Sequence, residues 1–260
     1  KTKSLRLIQV STNMRRMIVR SFIFVLTIAA SLAAQAAIQL PKNLSHDDRL
    51  KILEIVGFGS SSKILSDPYP LGGYAGFEVG FALENLPAED IGRLGDQLPA
   101  PQRDLAISKL TFGKGVYNNF DFFFHFTPHM RPDEVVQYGG MVRWGFYQGS
   151  DRPISLSTLI HVNTVNFSNQ LTTHTYGIDL VGGVTVESLA LFAGIGAIEA
   201  GGRFLGGSSG VTDTGAVESE FATGIHTIVG ADIRIRNAFI ALQIDRYKLP
   251  VFSGKLGYRF

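Results

Sequence analysis

The sequence predicts an all-β fold, a transmembrane antiparallel up-and-down β-barrel of about ten strands (roughly 8 to 12 being compatible), with a short N-terminal helix. Two observations support this prediction: strand-like alternation of side chains and a signal for export. In residues 120–127 one face is apolar and the opposite face carries Asp121 and His125. The same period of two, which is typical of β-strands, recurs in residues 135–147 and down to the last residue, Phe260.

Residues 14–36 have the three parts of a secretory signal peptide. Basic residues at positions 15–20 precede an apolar run at 21–32, and a small-x-small cleavage site ends at Ala36. The apolar run is shorter than the roughly 20 residues that a membrane-spanning helix needs. We therefore expect cleavage after Ala36 and set aside residues 1–13, which precede the first methionine.

The composition of the exported part argues against several classes of function. The whole chain has 24 basic and 22 acidic residues, but residues 1–36 hold six of the basic residues and no acidic one. The remainder has 18 basic and 22 acidic residues, a net charge of −4, so we expect no nucleic-acid partner. Cysteine is absent, which excludes disulfides and thiol chemistry.

Three parts are expected: residues 1–36 (signal peptide and upstream residues), residues 37–73 (N-terminal segment) and residues 74–260 (transmembrane barrel). Within the N-terminal segment, residues 45–56 are predicted to form a helix that begins with a Ser45-x-x-Asp48 capping box. Residues 57–73 are rich in Gly, Ser and Pro and are predicted to be a linker. The helix is compatible with a periplasmic position, with the barrel mouth or with a plug in the lumen.

From residue 74 onward the chain divides into alternating segments separated by turn residues. The predicted strands are 74–84, 105–113, 119–127, 135–147, 154–166, 173–182, 187–198, 219–234, 238–246 and 251–260. The gaps after even-numbered strands are short, whereas those at 85–104 and 199–218 are long. Short periplasmic turns and longer external loops are typical of outer-membrane barrels. The glycine-rich stretch 201–210 lacks a phosphate-binding motif and is predicted to be a flexible external loop.

The two faces of these strands predict which side chains meet lipid and which line the lumen. One face is apolar, as expected where a Lys or Arg at mid-membrane costs about 2 to 4 kcal/mol. The lipid-facing residues singled out are Phe120, Phe122, Phe124, Phe126, Tyr138, Trp144, Phe146, Tyr176 and Tyr258. The lumen-lining residues are Glu78, Asp121, His125, Arg143, His161, Asp179, His226, Asp232, Asp245, Lys255 and Arg259.

Details of the strands and of the lumen follow from the same alternation. In the second strand Leu105 and Ile107 are out of phase with Leu110 and Phe112, which predicts a bulge near Ser108 or different strand boundaries. In the fourth strand Tyr147 is predicted to face inward. Ion pairs are expected to make buried charge tolerable: Arg143 with Glu78, Asp121 or Asp179, and Lys255 or Arg259 with Asp245. Ten strands argue against a wide pore.

The C-terminal sequence V-F-S-G-K-L-G-Y-R-F resembles the terminal strand of bacterial outer-membrane β-barrel proteins, including small porin-like ones. Phe252, Leu256, Tyr258 and Phe260 match the aromatic and alternating apolar signal of that family, whereas Gly254 and Gly257 depart from its usual spacing. The resemblance implies export and recognition by the barrel-assembly machinery. It also implies integral insertion in the outer membrane of a Gram-negative bacterium, with membrane lipids as partners.

The sequence offers little evidence for catalysis, and we expect no enzyme. Ser155, Ser157, His161 and Asn163 share one inward face, but Ser157 and His161 are about 13 Å apart along a strand, too far for a nucleophile and its base. His125, His161 and His226 come from nonadjacent strands without a second acidic ligand at close spacing. They are therefore expected to satisfy hydrogen bonds in a polar lumen, with no metal and no cofactor.

The expected function is that of a structural or porin-like outer-membrane barrel that passes at most small solutes. The outward small residues Gly140, Ala193 and Ala231 predict a homo-oligomer, such as a ring whose inner wall encloses lipid. Two alternatives stay open. One is a lipid-modifying enzyme or protease of the outer membrane, and the other is a surface adhesin that uses the loops 85–104 and 199–218.

Overall fold

The computed structural model describes residues 40–98, 104–128, 135–149 and 153–260, so the predicted signal peptide lies outside the described residues. The first element is the α-helix α1, His46–Ile52, which continues as a π-helical turn, Leu53–Gly57. Ser45 caps α1 as the sequence predicts, because its hydroxyl accepts from the Asp48 amide while Asp48 accepts from the Ser45 amide. No helix among the described residues is long and apolar enough to cross a membrane.

Ten antiparallel strands form one closed barrel, which confirms the predicted fold class. Each strand pairs with its neighbours in the chain, and β1 pairs with β10 to close the sheet. Short 3₁₀ turns lie before β1, Gly73–Ala75, and after it, Glu89–Arg93. The strands are β1 Phe77–Leu86, β2 Leu105–Gly115, β3 Phe120–Phe126, β4 Val135–Gln148, β5 Ile154–Phe167, β6 Leu171–Val186, β7 Leu189–Phe204, β8 Glu218–Ile235, β9 Ala238–Arg246 and β10 Pro250–Arg259.

The two ends of the barrel differ. At one end, here called the turn end, the chain reverses through short connections such as Glu187-Ser188 and Arg236-Asn237, and the C-terminal Phe260 donates its amide to Phe77. The opposite end, here called the loop end, carries the connections that follow β1, β3, β5, β7 and β9. The longest strands, β6, β7 and β8, have 16, 16 and 18 residues and neighbour each other, whereas β9 has only 9. The wall is therefore taller on one side.

The second strand corrects one expectation. β2 keeps an unbroken register with β1 from Leu105 to Lys114, so there is no bulge near Ser108. Leu105 and Ile107 point inward and are fully buried, whereas Phe112 points outward. The apolar alternation of β2 changes phase along the strand because the inward face is itself apolar near the loop end. The predicted bulge near Ser108 is therefore wrong, because it assumed that all inward side chains are polar.

The fourth strand corrects the expectation that Tyr147 faces inward. Its register with β5 shifts between Gly145 and Tyr147, so a β-bulge lies there. Because one extra residue turns the following side chain to the other face, Tyr147 is exposed on the outside rather than in the lumen. Phe146 is exposed as well.

The outer surface of the barrel is an apolar band. The aromatic residues predicted to face lipid are exposed or half-buried on this surface, and so are the four residues of the C-terminal signal. Outward charged side chains of the described strands lie near strand ends: Lys114, Glu199, Arg203 and Arg246. On β7 the uncharged outward run extends from Leu189 to Ala197, which matches the roughly 9 to 11 residues of a tilted membrane-crossing strand.

Candidate functional site

The lumen is occupied by the chain itself. Residues 58–71, here called the lumen segment, connect the helical region at the loop end to β1 at the turn end. Every residue from Val56 to Pro68 is buried. The predicted linker 57–73 is therefore largely a packed interior element, and of the positions that the sequence left open for the N-terminal segment, the structure combines the mouth and the lumen.

An apolar cap closes the loop end. Ile52 and Val56 of the helical region pack with Leu86, Ile107 and Phe167 of the wall in a cluster that holds sixteen buried residues. The cap explains why β2 begins with inward apolar side chains. Burial of this apolar surface stabilises the helical region, at about 25 cal/mol per Å² of apolar area removed from water.

Polar contacts fix the same region to β8 and to the connection between β7 and β8. Arg49 is buried and forms ion pairs of 2.8 Å with both Glu220 and Asp213. Burial works to lower the pKa of Arg49, but the hydrogen bonds from Glu220 and Asp213 outweigh it and hold that pKa above its usual value. Leu44 pairs with Thr212 in an isolated parallel bridge. Residues 205–217 are thus a folded loop, and residues 201–204 belong to β7, which corrects the predicted flexible loop at 201–210.

The middle of the lumen segment is held by buried polar groups of the wall. The carbonyl oxygen of Ser60 accepts from the amide groups of Gln137, at 2.6 Å, and Asn163, at 2.8 Å. Lys63 lies 3.1 Å from Glu84, which is also 2.7 Å from Lys109. All three charged side chains are almost fully buried, so one carboxylate of β1 is shared as ion-pair partner by a lysine of the segment and a lysine of β2.

A second ion-pair network lies near the turn end. Asp67 of the lumen segment pairs with Arg259 at 2.9 Å and with Arg234 at 2.7 Å. Glu78 accepts from both Lys255 and Arg259, at 2.5 and 2.6 Å. This network joins the segment to β1, β8 and β10.

Arg143 connects the segment to the opposite wall. Its guanidinium pairs with Asp121 at 2.8 Å and donates to the Asp67 carbonyl oxygen at 2.7 Å, and Asp121 also accepts from the amide of Leu71. Of the three partners expected for Arg143, Asp121 is the one in contact. The two residues are direct partners in the β3–β4 register.

The expected pairing of Lys255 or Arg259 with Asp245 is wrong. Asp245 lies opposite Val251, four residues before Lys255 on β10, which is about 13 Å along the strand. Both cations instead reach Glu78, the register partner of Arg259 on β1. Asp245 accepts two hydrogen bonds from Gln243.

The other residues predicted to line the lumen point inward too. The inward set, all buried except the partly exposed Arg259, is Glu78, Asp121, His125, Arg143, His161, Asp179, His226, Asp232, Asp245, Lys255 and Arg259. The lumen segment was missed as their partner. Its signal in the sequence was Lys63 and Asp67, two charged residues in an otherwise small and apolar stretch.

Two of the three inward histidines meet at an aspartate. His161 on β5 and His226 on β8 flank Asp179 on β6, with distances of 3.4 Å from His161 Nε2 to Asp179 Oδ2 and 2.8 Å from His226 Nε2 to Asp179 Oδ1. We call these three residues the luminal cluster. His125 lies apart from it, with Nε2 3.1 Å from the side-chain oxygen of Asn163. The sequence did not show that a carboxylate of an intervening strand lies between the two rings.

The serine and histidine residues of β5 do not form a hydrolase site. Ser157 donates to the carbonyl oxygen of Pro68 at 2.5 Å, and His161 faces Asp179. Asn163 is engaged with the lumen segment and with His125. A nucleophile and its base must be within hydrogen-bond reach, which these contacts do not provide.

No protein-family model matches the chain. No curated protein matches it either. Among solved structures, the attachment invasion locus protein Ail of Yersinia pestis is 16% identical, over 71% of this chain and 97% of Ail, with a TM-score of 0.30. The N-terminal β-barrel domain of Pseudomonas aeruginosa OprF is 10% identical (72% and 99% covered, TM-score 0.36). The KdgM porin is 9% identical (70% and 99%, TM-score 0.37).

These scores are too low to carry an argument about activity. The strand pairing of the chain itself establishes its architecture: a closed, ten-stranded, antiparallel up-and-down barrel whose interior is filled by its own N-terminal region.

Proposed function

We propose that this chain is an integral outer-membrane β-barrel that acts as a closed structural scaffold, exported with a cleaved signal peptide. The observation that carries the scaffold role is the burial of every residue from Val56 to Pro68 inside the barrel. A barrel near ten strands has an interior that side chains nearly fill, and here a chain segment and two ion-pair networks occupy it as well. The role is therefore that of a membrane element without a free aqueous path.

Insertion in a membrane is supported by the outer surface. Ile160, Leu242 and Ile225 are 56, 63 and 72% exposed, and such residues recur on neighbouring strands. Apolar patches of this extent are rare on soluble monomers. Closed barrels satisfy their backbone hydrogen bonds within the sheet, as the membrane interior requires.

Planar-bilayer recording tests the scaffold role. The wild-type protein is expected to give no discrete conductance steps, because the lumen segment is packed against both walls. A variant that lacks residues 40–70 is expected to give steps, since the apolar cap and the segment are then removed. Exchange of the exposed Arg93 and Asp90 pair for alanine is the matched control and is expected to stay silent.

Folding of each variant is checked by its shifted migration on unboiled gels. A sample that is unfolded and therefore gives no conductance steps is not counted. Regular steps from the folded wild-type protein would contradict the scaffold role and favour a porin-like one.

A surface-binding role is the second candidate, favoured by the taller wall of β6, β7 and β8. Glu199 and Arg203 lie on the outward face beyond the apolar band, and residues 205–217 form a folded loop above it. Deletion of residues 207–215 would lower attachment of producing cells to a target surface if this loop binds it. Unchanged attachment would exclude this loop as the adhesive element.

We propose no catalytic role. Ser157 donates to the lumen segment and His161 faces Asp179, so these two residues are not arranged as nucleophile and base. The test is lipid turnover by the wild type and by His161→Ala. Turnover that is present in the wild type and absent in the variant would reverse this conclusion.

A further inference from the structure

We propose that His161, Asp179 and His226 form a binding site for a divalent transition-metal ion in the lumen wall. Each residue offers one ligand atom, and the three atoms lie within 4.8 Å of one another. All three side chains are buried, near the middle of β5, β6 and β8. The site goes beyond the scaffold role and does not depend on it.

Each histidine nitrogen lies close to one oxygen of the Asp179 carboxylate, and these distances can be compared with the spacing of ligands around such an ion. A tetrahedral Zn²⁺ ion with bonds of about 2.0 to 2.1 Å places neighbouring ligand atoms about 3.3 to 3.4 Å apart. His161 Nε2 and Asp179 Oδ2 are 3.4 Å apart. His226 Nε2 and Asp179 Oδ1 are closer, at 2.8 Å, because they share a proton. The ion takes the place of that proton, which moves to Nδ1 of the same ring so that the imidazole stays neutral, and the two atoms separate by about half an ångström.

His161 supplies independent evidence for a missing ligand. It is only 1% exposed, its Nδ1 has no hydrogen-bond partner among the described residues, and its Nε2 has only the 3.4 Å approach to Asp179, longer than a normal N–H···O hydrogen bond. A buried polar group without a partner costs about 1 to 3 kcal/mol. Its Nε2 points at Asp179, where a bond to a metal ion would satisfy it.

Two glycines keep space for the cluster. A Cβ atom on Gly177 would lie 2.2 Å from His161 Nε2. A Cβ atom on Gly196 would lie 1.9 Å from Asp179 Oδ1 and 2.5 Å from His226 Nε2. These are the ligand atoms themselves, so any larger residue at either position would displace them.

The donor set indicates which ions fit. Two imidazole nitrogens and one carboxylate suit Zn²⁺ and neighbouring transition metals, whereas Ca²⁺ and Mg²⁺ prefer oxygen ligands. A water molecule would be the fourth ligand of a tetrahedral ion held by these three residues. The His226 ring stacks on Tyr247 with 4.6 Å between ring centroids, and its Nδ1 lies 4.0 Å from Asp245, so a second layer of groups orients it.

The experiment is a measurement of bound zinc on the full chain, refolded in detergent with Zn²⁺ and then freed of excess metal. The wild type is expected to retain about one zinc ion per folded chain. The variants His161→Gln and Asp179→Asn are expected to lose at least about nine-tenths of it. His125→Gln is the matched control, because His125 is also a buried lumen histidine but lies outside the cluster, and it is expected to retain zinc.

Only the folded fraction, identified by its migration on unboiled gels, enters the comparison. Wild-type protein without bound zinc would overturn the proposal, and so would equal retention by the two cluster variants. Cobalt provides a second readout that does not depend on variants. Co²⁺ refolded with the wild type is expected to give visible absorption bands of a four-coordinate site, and their absence at full cobalt loading would contradict the proposed geometry.

Discussion

Lys63 and Glu84 face each other in the lumen, with Nζ 3.1 Å from Oε2 and both side chains buried. Glu84 belongs to β1 and Lys63 to the segment that precedes it, so this pair joins the contents of the barrel to its wall. Lys109 of β2 shares the same carboxylate. A single carboxylate is therefore the ion-pair partner of two buried lysines.

Removal of that carboxylate is expected to destabilise the barrel strongly. Glu84→Gln leaves two buried lysines without their partner, and breaking a buried ion pair costs about 3 to 5 kcal/mol. The free energy of unfolding, measured by urea titration in lipid vesicles with Trp144 fluorescence, checks this. Asp90→Asn, in the exposed pair with Arg93, is the control and is expected to change it by less than about 1 kcal/mol. Equal effects of the two variants would show that the Glu84 contact is not an anchor.

A charge on the apolar band is expected to be costly in a way that depends on depth. Ile178 is 52% exposed on the outer face of β6, near the centre of the strand, and Ile178→Lys is expected to cost about 2 to 4 kcal/mol in lipid. Ser219→Lys, at the loop end of β8, is the control and is expected to cost about 0 to 1 kcal/mol. The same urea titration measures both. If the two positions cost the same, the proposed membrane band is misplaced.

The absence of cysteine allows the orientation of the barrel to be tested with single labels. Lys42 is exposed at the loop end and Tyr117 at the turn end. Lys42→Cys is expected to react with a membrane-impermeant maleimide on intact cells. Tyr117→Cys is expected to react only after the outer membrane is permeabilised. Labelling of the reverse pattern would invert the proposed topology, and labelling of neither in intact cells would argue against surface exposure of the loop end.

Self-association is expected through the outward small residues. Gly140, Ala193 and Ala231 leave shallow places on the apolar band where a second barrel can approach closely. Native mass spectrometry in mild detergent is expected to show oligomers in the wild type and a shift toward monomers in Ala193→Trp. Monomers alone in the wild type would reject the oligomer.

The strands were predictable because their two faces have opposite chemistry. The aromatic residues of β3 and the outward isoleucines of β8 and β9 identify strands and their phase without any knowledge of neighbours. Contacts inside the barrel depend instead on register. Arg259 meets Glu78 because β1 and β10 are joined there, and the sequence of neither strand states which residues are opposite.

The packed position of the lumen segment could not be predicted from the sequence, for a different reason. Its Gly, Ser and Pro residues are typical of a linker, and small residues are also what a narrow bore accommodates. Local composition cannot distinguish the two. The luminal cluster escaped notice because its three members are separated by up to 65 positions, from His161 to His226, and meet only when β5 to β8 curve around the bore.

The position of the lumen segment directly before β1 constrains how the protein is made. β1 pairs with β2 on one side and, on the other, with β10, the last of the ten barrel strands in chain order, and the segment contacts Arg259 of β10. The junction of β1 and β10 therefore lies beside a segment that precedes all ten strands in the chain. We expect barrel closure and placement of the lumen segment to depend on each other, because a closed barrel without the segment would leave Glu84 without its contact to Lys63 and Arg143 without its contact to the Asp67 carbonyl oxygen.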